Sequence, residues 1–365
     1  MIQRVILSAG GTGGHIFPAI AVANEIKKRN PSVEILFVGA EGRMEMQKVP
    51  EAGYPIKGLW IAGFQRSLDW RNLLLPFKIV SSLLAARKII KSFNPEIVVG
   101  FGGYASAAVL TAASLSRIPT VIQEQNSSAG ITNKILGRWV KKVCVAYDGM
   151  DLSFPKHKIV KTGNPIREDL KTIAYSPQKA REKIGFKEEG PMVLVMGGSL
   201  GARAINEAIA ALLPKFEESN YNLLWQTGNT QIEKYKPYES TRVKIVPFIN
   251  NMALCYNAAD LVVCRAGALT LSELTALGKP SILIPSPYVA EDHQTRNAVQ
   301  LFNNQACMFL TENECMEALP TVLFGCIENK DVLEKIGKSA KKMALPHATE
   351  SIVDELEKTL QMDKK

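Results

Sequence analysis

Short runs of apolar, mostly β-branched residues recur along this chain, each followed by a longer stretch with apolar positions three and four apart. The runs predict strands buried on both faces, and the spaced stretches predict amphipathic helices. In the first half the strands fall at 4–8, 33–38, 97–100, 120–123 and 142–146, with helices at 18–29, 68–92 and 105–116. Pro31 and Pro119 mark helix exits, since proline cannot continue a helix. The alternation restarts after Gly163-Asn164-Pro165, with strands at 192–196, 222–226, 243–247, 261–264 and 281–284. Two successive βαβ series predict an α/β chain of two Rossmann-like, doubly wound parallel-sheet domains, with ligands at the carboxyl ends of the strands. The expected division is 1–161 and 162–345, with the polar stretch 151–161 as linker and a helical tail over 346–365.

Composition narrows the class. A length of 365 residues suits about two domains, and 46% hydrophobic residues suits sizeable cores. The N-terminal apolar run is too short for a signal peptide, and no stretch approaches the roughly 18 apolar residues of a membrane span. Six scattered Cys with no C-x-x-C pair, and four dispersed His, predict neither a zinc site nor a disulfide framework but reduced thiols. Residues 1–161 carry 21 Lys and Arg against 10 Asp and Glu, whereas the remainder carries 23 against 25. That asymmetry predicts an anionic partner for the first domain alone, a nucleic acid or an acidic membrane surface.

Candidate chemistry sits where strands meet helices. The first strand runs into Gly10-Gly11-Thr12-Gly13-Gly14-His15, a loop stripped of side chains except at its end. Glycines permit close backbone approach, and the helix start beyond offers unpaired N–H groups to an anion. Further glycine turns lie at Gly100 to Tyr104, Gly197 to Gly201 and Arg265 to Gly267. None fits the dinucleotide fingerprint, because Ile16 stands where the last glycine belongs, and none has the Lys-Ser/Thr of a P-loop. The stretch from Arg265 to Glu273 brings a strand end, a helix start and two hydroxyls together, a suitable seat for phosphate. Glu273 then either binds vicinal hydroxyls such as a ribose or simply favours the helix dipole.

The segments G-T-G-G-H, G-G-Y-A-S, E-Q-N, G-N-P-I-R, G-G-S-L-G-A and R-A-G-A-L-T-L-S-E occur in order from residue 6 to about residue 300. Together they resemble the motifs of the MurG family, bacterial GlcNAc transferases acting on undecaprenyl-pyrophosphoryl-MurNAc-pentapeptide. The resemblance implies a GT-B fold with two domains facing across a cleft, and an inverting transfer from UDP-GlcNAc to lipid I that yields lipid II. By motif, Arg167 and Ser199 would hold the diphosphate, and the Ile249 backbone would read the uracil. Ala268, Leu269, Thr270, Leu271 and Ser272 would wrap the phosphates and sugar, with Glu273 on the ribose and Gln294 on the GlcNAc hydroxyls. Thr12, Gly13, Gly14 and Asn126 would close the cleft from the first domain. No metal or cofactor is implied.

His15 is the candidate general base, since imidazole titrates near neutral pH; its competing role is to orient the acceptor pyrophosphate. The family often has His before E-Q-N, where this chain has Gln123, so the base falls to His15 or Glu124. The segment Phe248-Ile249-Asn250-Asn251-Met252 also replaces a more acidic version.

A lipid acceptor gives the basic half a purpose. Trp70, Leu73, Leu74, Leu75, Phe77, Val80 and Leu84 run beside Arg71, Lys78, Arg87 and Lys88, with Pro76 suggesting a break. Such a segment is either an ordinary core helix or a face lying in anionic headgroups. The expected protein is a peripheral enzyme on the cytoplasmic side of the inner membrane, with no nucleic-acid partner. Alternatives are a GT-B UDP-GlcNAc epimerase and a nucleotide-sugar-binding subunit.

Overall fold

Val5, Ile6 and Leu7 are wholly buried, and alternation sends Val5 and Leu7 into one core and Ile6 into another on the opposite sheet face. That two-faced burial is repeated throughout the computed structural model, which describes residues 1–61, 75–171, 175–198 and 200–363. The chain divides into one unit of residues 1–166 with 345–365 and another of residues 167–344.

The first unit contains β1 (Arg4–Ser8), α1 (Gly13–Arg29), β2 (Glu34–Ala40), α2 (Glu45–Glu51), β3 (Ile56–Leu59) and α3 (Leu75–Phe93). It continues with β4 (Ile97–Gly100), α4 (Tyr104–Leu115), β5 (Thr120–Glu124), α5 (Ile131–Leu136), β6 (Lys142–Val145) and β7 (Ile159–Lys161). The strands pair in parallel in the order β3-β2-β1-β4-β5-β6-β7. The order reverses between β1 and β4, so the loops leaving these two strands frame the switch point where such sheets take ligands. Those loops are the glycine turns at Gly10 and Gly102.

The second unit contains α6 (Pro177–Ile184), β8 (Met192–Met196), α7 (Arg203–Glu218), β9 (Asn222–Gln226), α8 (Ile232–Tyr235), β10 (Val243–Val246) and α9 (Met252–Ala258). It goes on through β11 (Leu261–Cys264), α10 (Ala268–Leu277), β12 (Ser281–Leu283), α11 (His293–Asn303), β13 (Met308–Phe309), α12 (Cys315–Ile327) and α13 (Lys330–Lys342). Its parallel order is β10-β9-β8-β11-β12-β13, with the switch point between β8 and β11. Each switch point therefore carries a pair of glycine turns.

Helix α14 (Ala348–Asp363) returns to the first unit, packing against α1 with Ile352, Val353, Leu356 and Leu360 in the core that holds Val22 and Ile26. Arg29 clamps it, donating to Asp354 at 2.6 Å and to the Glu350 carbonyl at 3.1 Å. With this acidic helix included, the first unit still carries 24 basic against 15 acidic residues, while the second carries 20 of each.

The stretch 151–161, expected as a linker, instead forms two 3-10 turns and the edge strand β7, because Ile159 and Val160 find β6 to pair with. Helix α1 begins at Gly13 rather than Pro18, since the Thr12 carbonyl accepts from the His15 and Ile16 N–H groups. The six cysteines are buried and free; burial pushes the Cys144 thiol up to about 12, which makes it inert.

Candidate active site

At the first switch point the loop is shaped by two glycine pairs. Gly11 has φ +88°, open to glycine. Across from it, a Cβ on Gly103 would come 2.6 Å from the Gly10 carbonyl, and one on Gly102 would come 2.9 Å from His15 Nε2. In the bare G-G of G-G-Y-A-S, Gly102 thus leaves space for the imidazole and Gly103 for the Gly10 backbone. Ser106 fixes this turn by donating to the Ser8 and Gly102 carbonyls at 2.7 and 2.9 Å.

His15 Nδ1 lies 2.8 Å from the Gly10 carbonyl oxygen. A carbonyl only accepts, so Nδ1 carries the hydrogen, and Nε2 of the neutral ring is left with its lone pair. Thr12 and Gly14 are exposed and Gly13 is half-buried at the start of α1, whose first turn holds no acidic side chain. The N–H groups there face outward without a competing anion.

Glu124 is not available as a base. It is buried, and its carboxylate accepts from the Asn126 N–H at 3.1 Å, the Gly130 N–H at 3.1 Å and the Asn133 side chain at 2.9 Å. It folds the loop that presents Asn126 and starts α5. Gln123, at the position where the family often has His, is wholly buried and donates to Asn164 at 2.9 Å. Asn164 donates in turn to the Gln125 carbonyl, and Gln125 to the Phe101 carbonyl, both at 2.9 Å. A neutral amide network thus fills a place where imidazole chemistry was conceivable.

In the second unit, Gly201 and Gly228 bring two loops into backbone contact: a Cβ on Gly201 would meet the Thr227 carbonyl at 2.0 Å. Ser199 lies outside the described residues. Gly267 caps α10, whose leading N–H groups at Ala268, Leu269 and Thr270 have no helical carbonyl ahead of them and no acidic neighbour in the first turn. Ser272 donates its hydroxyl to the Ala268 carbonyl at 3.0 Å. Leu271 anchors this segment from the core: its side chain is fully buried, and its N–H bonds to the Gly267 carbonyl at 3.0 Å.

Glu273 is buried between two donors, Arg167 Nε at 3.1 Å and the Tyr256 hydroxyl at 3.0 Å. Burial pushes its carboxyl above the usual carboxylate range, against the pull of Arg167 and the Tyr256 hydrogen bond. Burial, and then Glu273 itself, hold the Tyr256 phenol well above its ordinary value, so it remains a donor. Sequence reasoning brought Arg167 and Glu273 to different parts of a donor; the structure brings them together and adds Tyr256. Tyr256 stood five residues from Asn251 with nothing but helical spacing to mark it.

Ile249 has a buried side chain, and neither its N–H nor its carbonyl bonds to another backbone group among the described residues. Asn251 caps α9 by accepting from the Leu254 N–H at 2.9 Å, work that Asn does as well as an acidic residue. Gln294 accepts from the Ser286 N–H at 2.9 Å, leaving its amide nitrogen as a donor, and it follows two left-handed residues, Glu291 and Asp292. Arg265 braces the same loop through the Ile284 and Pro285 carbonyls and an ion pair with Glu312.

Residues 5–145 match the glycosyltransferase family 28 N-terminal domain, and residues 192–352 match the family 28 C-terminal domain. A UDP-N-acetylglucosamine--N-acetylmuramyl-(pentapeptide) pyrophosphoryl-undecaprenol N-acetylglucosamine transferase of Christiangramia forsetii is 48% identical, with 98% of each chain covered. The MurG crystal structure from Acinetobacter baumannii is 31% identical, with TM-score 0.78 over 98% of this chain and 99% of that one. The chain belongs to the MurG family. Its fold is accordingly GT-B, and its activity class is hexosyl transfer. A UDP-GlcNAc 2-epimerase from Neisseria meningitidis has TM-score 0.67 at 14% identity over 98% of this chain and all of that one, a likeness of fold alone.

The first unit also exposes apolar and basic residues together on its helices. On α3, Phe77, Val80 and Leu84 are exposed beside Arg87 and Lys88, with Lys78 half-buried. Trp70, Arg71, Leu73 and Leu74 lie outside the described residues, as does the Leu75 side chain. Pro76 falls in the first turn of α3, where its missing N–H costs nothing. Sequence reasoning missed α5 and the turn that follows it, where Ile131 and Ile135 on the helix and Trp139 in the turn recur every four residues, all exposed, among Lys134 and Arg138. Helices α3, α4 and α5 share one core on one sheet face.

Proposed function

We propose that the two units divide one inverting glycosyl transfer, the second holding UDP-GlcNAc and the first holding the acceptor. The reaction moves GlcNAc from UDP-GlcNAc to lipid I and forms lipid II. The muramyl 4-hydroxyl attacks the anomeric carbon from the face opposite UDP; the new C–O bond forms as the bond to UDP breaks. His15 Nε2 takes the hydroxyl proton, and UDP leaves with the bonding pair. Charge growing on the diphosphate is met by the N–H groups that begin α10 and by Arg167, fixed donors that need no reorganisation. Glu273 accepts from the ribose hydroxyls, Gln294 donates to the sugar, the Ile249 backbone reads the uracil, and Thr12 to Gly14 with Asn126 line the acceptor side.

The observation that carries this reading is the His15 Nδ1 contact to the Gly10 carbonyl, which leaves Nε2 as the acceptor of a proton. No helix among the described residues is long and apolar enough to cross a membrane. Access to a lipid-borne acceptor is peripheral, through the apolar, basic face of α3 and α5 on anionic headgroups at the cytoplasmic surface.

Incubation with UDP-GlcNAc and a short-chain lipid I analogue tests the transfer. UDP release matched by GlcNAc–MurNAc disaccharide is expected. UDP released without disaccharide overturns it, and UDP-ManNAc as product favours an epimerase.

A further inference from the structure

Glu45 opens α2 and is completely buried. Its two carboxylate oxygens face backbone N–H groups, Ala40 at 2.9 Å and Gly11 at 3.1 Å. Two glycines make room for it: a Cβ on Gly39 would come 2.4 Å from its Cγ, and one on Gly10 would come 2.7 Å from its Oε1. Burying a carboxylate is costly unless hydrogen bonds replace its water, and Ala40 alone would anchor it to β2. The second bond is the informative one.

The N–H of Gly11 and the carbonyl of Gly10 belong to one peptide plane, pointing in opposite directions. Glu45 accepts on one side of that plane, and His15 Nδ1 donates on the other at 2.8 Å. We propose that Glu45 is a positioning residue for the transfer, acting on His15 through the Gly10–Gly11 peptide. A carboxylate that accepts from an N–H polarises the peptide and makes its carbonyl a stronger acceptor. When Nε2 takes the proton of the attacking hydroxyl, the imidazolium charge at Nδ1–H meets a carbonyl already enriched in electron density. The arrangement does what a carboxylate bonded directly to a catalytic imidazole does, with one peptide interposed. It also fixes the tautomer, because the plane cannot turn while Glu45 and Ala40 hold it. The inference rests on His15 acting as the base.

The test has three arms. In the unmodified protein, imidazole nitrogen NMR should show neutral His15 with its hydrogen on Nδ1; a hydrogen on Nε2 would overturn the proposal without any variant. Glu45→Gln turns an amide N–H toward one of the two backbone donors. It should lower kcat about 10- to 100-fold, leave the UDP dissociation constant within twofold, and mix the His15 tautomers. UDP affinity reports on the second unit only. A dispersed amide NMR spectrum from the first unit, which carries Glu45, therefore shows whether the variant is folded; if it is not, the tautomer of the unmodified protein decides alone. Finally, Glu45→Gln made in a His15→Ala background should cost no further rate. An equal loss in both backgrounds would mean that Glu45 acts on structure and not through His15. Should His15→Ala leave kcat unchanged, the base assignment fails, while the tautomer measurement still reports whether Glu45 orients the ring.

Discussion

The two units are built on the same plan, a parallel sheet that reverses order beside its first strand, with glycine turns at the reversal. What they place there differs. The first unit sets the His15 imidazole and the buried Glu45 carboxylate on opposite sides of one bare backbone peptide, and carries the whole basic excess of the chain. The second is neutral overall and holds the buried Glu273 carboxyl between the buried Tyr256 hydroxyl and the exposed Arg167 guanidinium, on the helix that begins at Ala268. On the proposed reading a shared scaffold serves opposite needs, proton transfer and an anionic surface for the first unit and a fixed cradle for a dianionic leaving group for the second. Fold alone does not distinguish these tasks; the loop residues do.

The largest effect should separate the units by kinetics. His15→Ala is expected to lower kcat by about 10²- to 10⁴-fold while UDP-GlcNAc binding stays within twofold. Calorimetric titration beside initial rates checks it, and equal losses in both would erase the distinction.

The reverse pattern is expected from Glu273→Ala. Removing the carboxylate between Arg167 and Tyr256 should weaken UDP binding by roughly 10- to 100-fold, the scale of about 1.5–3 kcal/mol for a hydrogen bond to a charged group. The turnover of bound substrate should change much less. A kcat effect larger than the affinity effect would contradict a donor-binding role.

The face proposed to meet the membrane lies on the first unit. Reversing Arg87 and Lys88 to Glu should cut binding to anionic vesicles, each basic residue contributing about 1 kcal/mol near such a surface. Binding to neutral vesicles, and transfer to a soluble acceptor analogue, should be nearly unchanged. Undiminished sedimentation with anionic vesicles would move the membrane contact elsewhere.

The smallest effect concerns stability. A carboxyl whose folded value is raised holds its proton more tightly in the native state, so its contribution falls as pH rises from the ordinary carboxylate range through the folded value. Glu273→Gln should therefore raise Tm at neutral pH by a few degrees, with the gain shrinking toward pH 4 as both forms become neutral. Differential scanning calorimetry at the two pH values reads this directly. A gain that is larger at low pH would reverse the assigned cause.

Strands of the sheet centres were legible because burial on both faces writes continuous apolar runs, as in Val5 to Leu7 and Leu261 to Cys264. The edge strands β3, β7 and β13 were not, being two to four residues long with half-buried positions that alternate weakly. The start of α1 was obscured by Gly13-Gly14, poor helix formers, and by Pro18, which reads as a first-turn residue yet sits inside the helix. The chemistry-bearing loops stood out because glycine clusters at strand ends have few other uses. Their supports did not. Glu45 lies 34 residues from Gly11, and Tyr256 reaches Glu273 across 17, separations over which one sequence carries no distance information. Glu124 illustrates the converse, a candidate base by its place in the E-Q-N motif that accepts from three donors within its own loop and helix start.

Chemical rescue of His15→Ala by free imidazole bears most directly on the proton transfer assigned to the first unit. Gly11, Thr12 and Gly14 are exposed around the vacated ring, so a small base can enter. Lipid II formation should rise with imidazole concentration, with the KM for UDP-GlcNAc unchanged. A variant that binds UDP-GlcNAc normally yet gains nothing from imidazole, or that needs no rescue at all, would contradict His15 as the base.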